Sequence, residues 1–431
     1  MIALALIDGE HYPPVVKAAL EALPYEFACC VNVGGGEKLR STAEDGEALY
    51  GVPLADSVEE GIEAYSPEIV VDLSDEPVLG PRERMLAASR VLARGLPYAG
   101  SDFRLDPPRL VPFPLPSVSV IGTGKRVGKT ALAIQLARAC ARRCEVVVVA
   151  MGRGGPPEPE VRETPPSVEE LLELARSGRH AASDYLEDAL LGEIVSIGAR
   201  RCGGGFAGAV AYSNVAEAAE MALERHPDLV VFEGSGAALP PIATDRRVLV
   251  VSSHQDAELA CGYLNAYRIL MSDLVVIAFA EAGERLYQLR AAIGSLRPGV
   301  PVIATAMRPR PLQPVAGKKT ALFTTAPSQA LAPLGEHLER AYGADVIHVS
   351  GNLARRRDLR DELAKVDAEI FLVELKAAAV DVVIEEASAR GCEVGIVDNE
   401  MVPLQGEDDL ESALLDLAEQ ARASFREPAS R

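Results

Sequence analysis

The chain of 431 residues contains no tryptophan, and aromatic side chains make up only 5% of it. A core without many large rings must be built from aliphatic side chains, and hydrophobic residues supply 48% of the sequence, ordinary for a globular protein. No apolar run is long enough for a membrane span: the longest, such as 146–151, fall far short of the roughly 20 residues needed. Basic residues are outnumbered 43 to 63, for a net charge of −20. A general nucleic-acid binder needs a basic surface, so neither nucleic acid nor membrane is expected as a partner. The seven cysteines form no C-x-x-C pair, and the six histidines include no H-E-x-x-H. No zinc site is expected, and the thiols read as reduced. The first residues, Met1 to Asp8, lack a basic region and run straight into an acid, so they read as a strand rather than a signal peptide. A cytoplasmic location follows as the default expectation.

Against these absences stands one dense motif. Val118-Ser-Val-Ile-Gly122-Thr123-Gly124-Lys125-Arg126-Val127-Gly128-Lys129-Thr130 leads into Ala-Leu-Ala-Ile-Gln-Leu-Ala. An apolar strand, a tight glycine loop and an amphipathic helix make a phosphate-binding P-loop. Its backbone N–H groups close around phosphate oxygens, and the helix N-terminus favours the negative charge. Residues 122–130 are therefore read as the nucleotide cradle, with Lys129 reaching the β/γ-phosphates and Thr130 ligating Mg²⁺. The motif departs from the common pattern: where a glycine is usual, five before Gly128, stands Thr123, and the glycine is one place earlier at Gly122. A plain glycine turn between strand and helix is the alternative, and Gly-Lys-Thr at that handover disfavours it.

Alternating strand and helix signals divide the chain. Residues 1–105 read as a small α/β unit of Rossmann-like type, with strands at 2–7, 27–33 and 68–73. Residues 106–116 carry five prolines and read as a linker. Residues 117–405 read as a P-loop NTPase core with a large, mostly parallel sheet and helices on both faces. Its expected strands include 118–121, 145–151, 207–212, 229–233, 247–252 and 274–279, with 300–305, 320–324, 346–350 and 369–373 extending the sheet. Residues 406–431 read as an acidic surface helix.

Ligands of such sheets sit beyond the C-terminal ends of the strands. There the sequence places Asp8-Gly9-Glu10-His11, Gly152-Arg153-Gly154-Gly155, Gly198-Ala-Arg200-Arg201-Cys202-Gly203-Gly204-Gly205 and Glu233-Gly234-Ser235-Gly236. Arginine beside glycine lets a guanidinium and a backbone approach one phosphate together. Glu233, at a strand tip, is preferred to Asp228 as the acid that helps hold Mg²⁺. Ser183 and the acids after it read first as a capped helix start, with Asp184 as a possible metal or substrate ligand. Arg355-Arg356-Arg357 reads equally as a solvated helix face or an anion pocket. Lysine is scarce, eight against thirty-five arginines. Lys125 lies inside the loop, within reach of a transferring phosphoryl group. Lys376, after a strand ending near Leu375, reads more readily as a surface lysine than as part of the ligand edge.

The nonapeptide Gly122 to Thr130 resembles the deviant P-loop of dethiobiotin synthetase, and Glu233-Gly-Ser-Gly resembles that family's Mg²⁺-binding Glu-Gly-Ala-Gly. A resemblance over nearly the whole chain is carried by Ile7 to Pro14, Ala150 to Pro156, Ala182 to Asp188, Arg200 to Gly205 and Phe232 to Ala238, which look like the cyclic 2,3-diphosphoglycerate synthetase family. That resemblance implies ATP and Mg²⁺ as cofactors, 2,3-diphosphoglycerate as substrate, a cyclic pyrophosphate with ADP and phosphate as products, and a homodimer. Read together with the motifs above, it leads us to expect Lys125, Lys129 and Arg153 in catalysis, with Thr130, Glu233 and Asp184 on the metal. Glu10, His11, Arg153, Gly154, Arg200, Arg201 and Gly204 would bind substrate. Two rivals are a small-molecule kinase acting on 2-phosphoglycerate or a similar acid, and a nucleotide-switched regulatory ATPase or GTPase. The second usually carries lysine where this chain has Gly124. No Asn-Lys-x-Asp motif chooses between ATP and GTP.

Overall fold

Short runs of valine, isoleucine and leucine between amphipathic helices favour parallel sheets buried on both faces. The computed structural model, which describes residues 1–35, 46–377 and 379–426, has two such sheets in two units. The first unit comprises Met1–Arg109, Asp256–Met271 and Ala291–Gly299. Its six strands lie in the order Leu54–Ala55, Glu26–Asn32, Ile2–Ile7, Ile69–Asp72, Tyr98–Ala99, Arg104–Leu105. All neighbours are parallel except the last pair. The chain turns from one side of Ile2–Ile7 to the other, so the topological switch lies between that strand and Ile69–Asp72. Prolines open two helices here, Pro13–Ala22 and Pro81–Ala93, where a missing N–H costs nothing.

The second unit holds a thirteen-stranded sheet. Its order runs Glu160–Arg162, Val195–Cys202, Val146–Gly152, Leu229–Glu233, Ser117–Gly122, Arg246–Ser252, Leu274–Ala278, Val302–Pro311, Glu393–Pro403, Ile370–Glu374, Lys319–Phe323, Asp345–Ser350, with Tyr212–Ser213 paired beside Val195–Cys202. The strands from Val195–Cys202 to Val302–Pro311 are parallel. Glu393–Pro403 then pairs antiparallel to Val302–Pro311 and reverses the remainder. Strand alternation sends Val146 and Val148 into one core with Leu132 and Leu136, and Val147, Val149 and Met151 into another with Val215 and Ala218. Helices thus cover both faces, as expected. Each such fully buried aliphatic side chain contributes about 1.5–3 kcal/mol.

Three sequence expectations change. The strand expected over 207–212 is confined to its last residue, in Tyr212–Ser213; over 207–211 left-handed Gly203 and Gly208 and the turn bonds Gly208 N to Gly205 O (3.0 Å) and Gly205 N to Ala209 O (2.8 Å) curl the segment into a loop. The strand lies earlier, at Val195–Cys202, so Arg200 and Arg201 belong to it and are not beyond its tip. The tail helix, Leu410–Arg426, is no mere surface element: Leu410, Leu414, Leu417 and Ala421 enter the core around the helix Lys129–Ala141. The same helix is tied to the strand Glu393–Pro403. Gln135 exchanges two hydrogen bonds with the Met401 backbone (3.1 and 3.2 Å), and Arg138 pairs with Asp398 and Glu400 (2.9 and 3.0 Å). Among the described residues no helix is long and apolar enough to cross a membrane.

Candidate active site

The loop after Ser117–Gly122 turns through Arg126 (φ 61°) and Gly128 (φ 104°) into the helix Lys129–Ala141. The positive φ at Gly128 suits glycine, and a Cβ there would stand 2.6 Å from Met401 Cε and 3.1 Å from Met307 Cε. The displaced glycine has its own reason. A Cβ at Gly122 would stand 2.8 Å from Val127 Cγ2 and 3.0 Å from Lys129 Cδ, whereas one at Gly124 would meet Gln255 at an ordinary 3.5 Å. Close packing therefore demands glycine at 122. Thr123 is held instead by its hydroxyl, which donates to Gln255 Oε1 (2.5 Å). Lys129 folds back inside the loop and donates to the Gly124 carbonyl (2.8 Å); burial draws its pKa down to about 8, against the opposing pull of Glu233 and Asp184.

Thr130 opens the helix facing the neighbouring strand tip, and its hydroxyl donates to Glu233 Oε1 (2.6 Å). The other Glu233 oxygen is buried and unpartnered. Burial, reinforced by the negative charge of Asp184, pushes Glu233 up to about 8. Asp228 stands at the other end of the strand, accepting from the Glu145 amide (3.0 Å). Asp184, Glu187 and Asp188 come from the helix Asp184–Gly192. Ser183 precedes it, but its hydroxyl makes no capping bond and is buried without a partner, so the capped-start expectation does not hold. Burial raises all three acids, Glu187 to about 7. Asp188 has both carboxylate oxygens buried and unpartnered. Asp184 is drawn back down by the charges of Lys376, Lys129, His180 and Lys125. Lys376 is thus not a plain surface lysine: it lies 3.4 Å from Glu187 Oε1.

The segment after Glu233 faces a second cluster. Arg201 donates to the Ser235 carbonyl (2.7 Å) and the Gly203 carbonyl (2.8 Å), and its Nε is buried without a partner. Arg153 meets it over Gly236, where a Cβ would lie 2.7 Å from Arg153 Nη2 and 3.2 Å from Arg201 Nη2. Burial, then the charge of Arg153, lowers the Arg201 pKa. Gly154 lies against the His180 ring, and Gly204 against Arg201 Nη1. Arg200 follows strand alternation to the opposite face and donates to the Pro157 carbonyl (2.7 Å), while its amide donates to Asn214 Oδ1 (2.6 Å). The structure therefore brings Arg153 and Arg201 together and separates Arg200 from them. The Arg355–Arg357 run proves to be an ion-paired surface, with Arg355 on Asp358 (3.7 Å) and Arg356 on Asp381.

Glu10 and His11 lie in the first unit, after Ile2–Ile7. Asp8, nearly fully buried, accepts from the amides of Glu10 (3.0 Å), His11 (3.1 Å) and Asp75 (2.6 Å) and pairs with His11 Nδ1 (2.8 Å). Burial would raise its pKa, but these bonds outweigh burial and lower it. Asp8, Asp188 and Lys376 are the residues that sequence reasoning did not select. A polar residue directly at a strand tip was the available signal for Asp8.

A strand, a left-handed glycine loop, a Lys-Thr helix start and an acid on the adjacent strand tip define a P-loop nucleotide-binding protein of the α/β class. Family models described as the N-terminal domain, the P-loop domain and the C-terminal domain of cyclic 2,3-diphosphoglycerate synthetase match residues 2–106, 117–306 and 311–400. The chain belongs to the cyclic 2,3-diphosphoglycerate synthetase family. It is 46% identical over 441 residues to the Rubrobacter xylanophilus protein of that name, covering 98% of each chain. It is 43% identical over 430 residues to that of Thermococcus kodakarensis, covering 96% of this chain and 98% of the relative. The Methanothermus fervidus protein is 39% identical over 453 residues, covering 98% of each.

Proposed function

We propose that the chain closes 2,3-diphosphoglycerate into its cyclic pyrophosphate at the cost of ATP, releasing ADP and phosphate. The observation that carries this reading is the short segment Glu233–Gly236. Glu233 bonds Thr130 on the nucleotide side, while Ser235 and Gly236 meet Arg201 and Arg153 on the other. One turn thus borders two anion-binding clusters, as joining two polyanions requires. A simple nucleotide switch needs only the first.

The chemistry balances in two steps. A substrate phosphate oxygen attacks the γ-phosphorus of ATP, and the bond to ADP breaks. The neighbouring substrate phosphate then attacks the inner phosphorus, and the newly added phosphate leaves. Both phosphates are tethered to one carbon chain, so positioning replaces a nucleophilic side chain. In this proposal Lys125 and Lys129 stabilise charge on the γ-phosphate, and Arg153 does so on the transferring group. Arg201, Gly154 and Gly204 bind substrate phosphate. Arg200 acts through the loop that it braces at Pro157. Glu10 and His11 contribute to substrate binding, a role resting on the resemblance.

Magnesium is part of the proposal. Thr130 Oγ1, Glu233 with its unpartnered oxygen, and Asp184 make an all-oxygen donor set suited to a hard cation. Among the described residues no three His, Cys, Asp or Glu side chains form a metal cage; Mg²⁺ needs none, since it keeps waters and phosphate oxygens. Bound there, it would neutralise charge on the β- and γ-phosphate oxygens. Seven free cysteines fit the expected cytoplasmic location.

Phosphorus NMR of the protein with Mg-ATP and 2,3-diphosphoglycerate tests the reading. A cyclic pyrophosphate signal with ADP and free phosphate supports it. ADP without the cyclic signal overturns it, and a new monoester would mark a kinase. Lys129→Ala should lower turnover by about a thousandfold; retained cyclisation would remove Lys129 from the chemistry.

A further inference from the structure

Lys376 follows the strand Ile370–Glu374, in the segment matched by the C-terminal family domain. Its neighbours belong to the P-loop domain. The strand's own acid, Glu374, is already engaged: it accepts from Thr324 Oγ1 (2.6 Å), Asn399 Nδ2 (2.9 Å) and the Thr325 amide (3.1 Å). The Lys376 ammonium therefore turns to Glu187 at 3.4 Å, longer than the roughly 2.7–2.9 Å of a charge-assisted hydrogen bond. Glu187 is buried, whereas the lysine side chain keeps 35% of its surface open. An ammonium has three donors, and one long contact leaves it capacity for a further acceptor.

The charges around it are those of the phosphate loop. Lys376 and Lys129 each act on Asp184, together with His180 and Lys125. Lys376 and Arg153 both act on Lys129. Basic groups from the phosphate loop, from the segment around His180 and from the C-terminal domain thus converge on one carboxylate at the mouth of the P-loop. A chain with eight lysines commits three of them, Lys125, Lys129 and Lys376, to this spot. Phosphoryl transfer spreads negative charge over the equatorial oxygens of the group in transit, and a cation placed there stabilises it.

We propose that Lys376 is a catalytic residue, delivered from the C-terminal domain, whose ammonium leaves Glu187 to contact the phosphoryl group passing from ATP to the substrate; this rests on the cyclisation reading above. The same chain supplies its own cation in the role that a separate activating protein fills elsewhere. Glu187 is the positioning residue that holds the lysine until the phosphoryl group arrives. This also gives the C-terminal domain a part in the chemistry.

The test compares Lys376→Ala, Lys376→Arg and Glu187→Gln in the full chain. ADP release and cyclic product are measured with Mg-ATP and 2,3-diphosphoglycerate, alongside binding of a fluorescent ATP analogue and thermal melting. Lys376→Ala should lower kcat about a hundredfold, with nucleotide Kd changed less than about threefold. Lys376→Arg, which keeps the charge, should recover at least about tenfold of that loss. Glu187→Gln should cost less than Lys376→Ala. The proposal is overturned if kcat of Lys376→Ala stays within about threefold of the parent. It is equally overturned if Lys376→Ala and Glu187→Gln lose activity and melting temperature in parallel, the signature of a structural ion pair. If the parent protein forms no cyclic product, the cyclisation reading fails by itself. Lys376 is then judged on slow ATP hydrolysis, where the alanine variant should be at least about tenfold slower, and an unchanged rate rejects it.

Discussion

Two strand tips in this chain carry buried carboxylates, and the two are kept in opposite conditions. At the tip of Ile2–Ile7, Asp8 is surrounded by donors: three amides and a histidine satisfy it and lower its pKa. At the tip of Leu229–Glu233, one Glu233 oxygen has no partner, nearby Asp188 has none at all, and the acids of that cluster are raised. A buried acid with its bonds filled organises a loop. A buried acid left unfilled costs free energy in the fold and is explained by something that arrives later, here a cation or a polyanion with its counter-ion. Burial is common to both; the supply of donors distinguishes structure from readiness.

Substitutions at the two tips should separate these roles. Glu233→Gln should give the largest effect, lowering turnover about a hundredfold or more through loss of the metal acid, with the fold retained by circular dichroism. Full activity would make Glu233 a second Asp8. Next, Arg201→Ala should raise KM for 2,3-diphosphoglycerate about 10- to 100-fold, as for a lost charge-assisted bond, while Arg200→Ala stays within about fivefold. Equal effects would dissolve the distinction drawn from strand alternation. Asp8→Ala should lower stability by about 1–3 kcal/mol in urea unfolding, because four donors lose their acceptor, and should leave nucleotide affinity unchanged.

The smallest effect is in pH. Glu233 stands at about 8 and Glu187 at about 7 in the fold, against 4.5 for an ordinary glutamate. The folded chain binds these protons more tightly than the unfolded chain, so stability from these groups is greatest below about pH 4.5 and is lost as pH rises through 7 and 8. Asp8, with its pKa lowered from 3.8, works in the other direction: its contribution is present above that value and fades as pH falls. The melting difference between Glu233→Gln and the parent should therefore widen from pH 5 to pH 9, and that between Asp8→Asn and the parent should narrow in acid. A parallel course for both pairs would break the comparison.

The phosphate loop was legible because its signal is local: strand, glycine loop and Gly-Lys-Thr stand within a few residues. Glu233 was legible because a strand tip places an acid predictably. Arg200 and Arg201 could not be told apart without the strand's true extent, since moving its end past Ile197 is what turns one guanidinium to each face. The loop at 207–211 misled for the opposite reason: an apolar run leading through Val210 to Tyr212 suits a strand, and two left-handed glycines override all but its end. In the sequence Lys376 reads at the ligand edge only second to a surface lysine, because its meeting with Glu187 is made by packing between segments far apart in sequence. The helix Ala379–Ile384, wound as a π-helix, brings Val380 and Val383 into one core with Tyr185 and Leu186 of the acid helix.

One contact made by Gly128 has a consequence for how this protein can be divided. The space that its missing side chain leaves is closed by Met307 and Met401, opposite each other on paired strands. Met401 stands on the strand Glu393–Pro403, most of which lies in the segment 311–400 matched as the C-terminal domain, so that strand helps to wall the phosphate loop. A truncation ending near residue 310 would keep every residue of the P-loop motif and Met307, but lose Met401 and the strand that carries it. The boundary that separates these domains in sequence comparison is not a line along which the working enzyme can be cut. Met401 is almost fully buried and Met307 is half-buried, so oxidation to the sulfoxide would begin at Met307 and make that wall polar beside the phosphate loop.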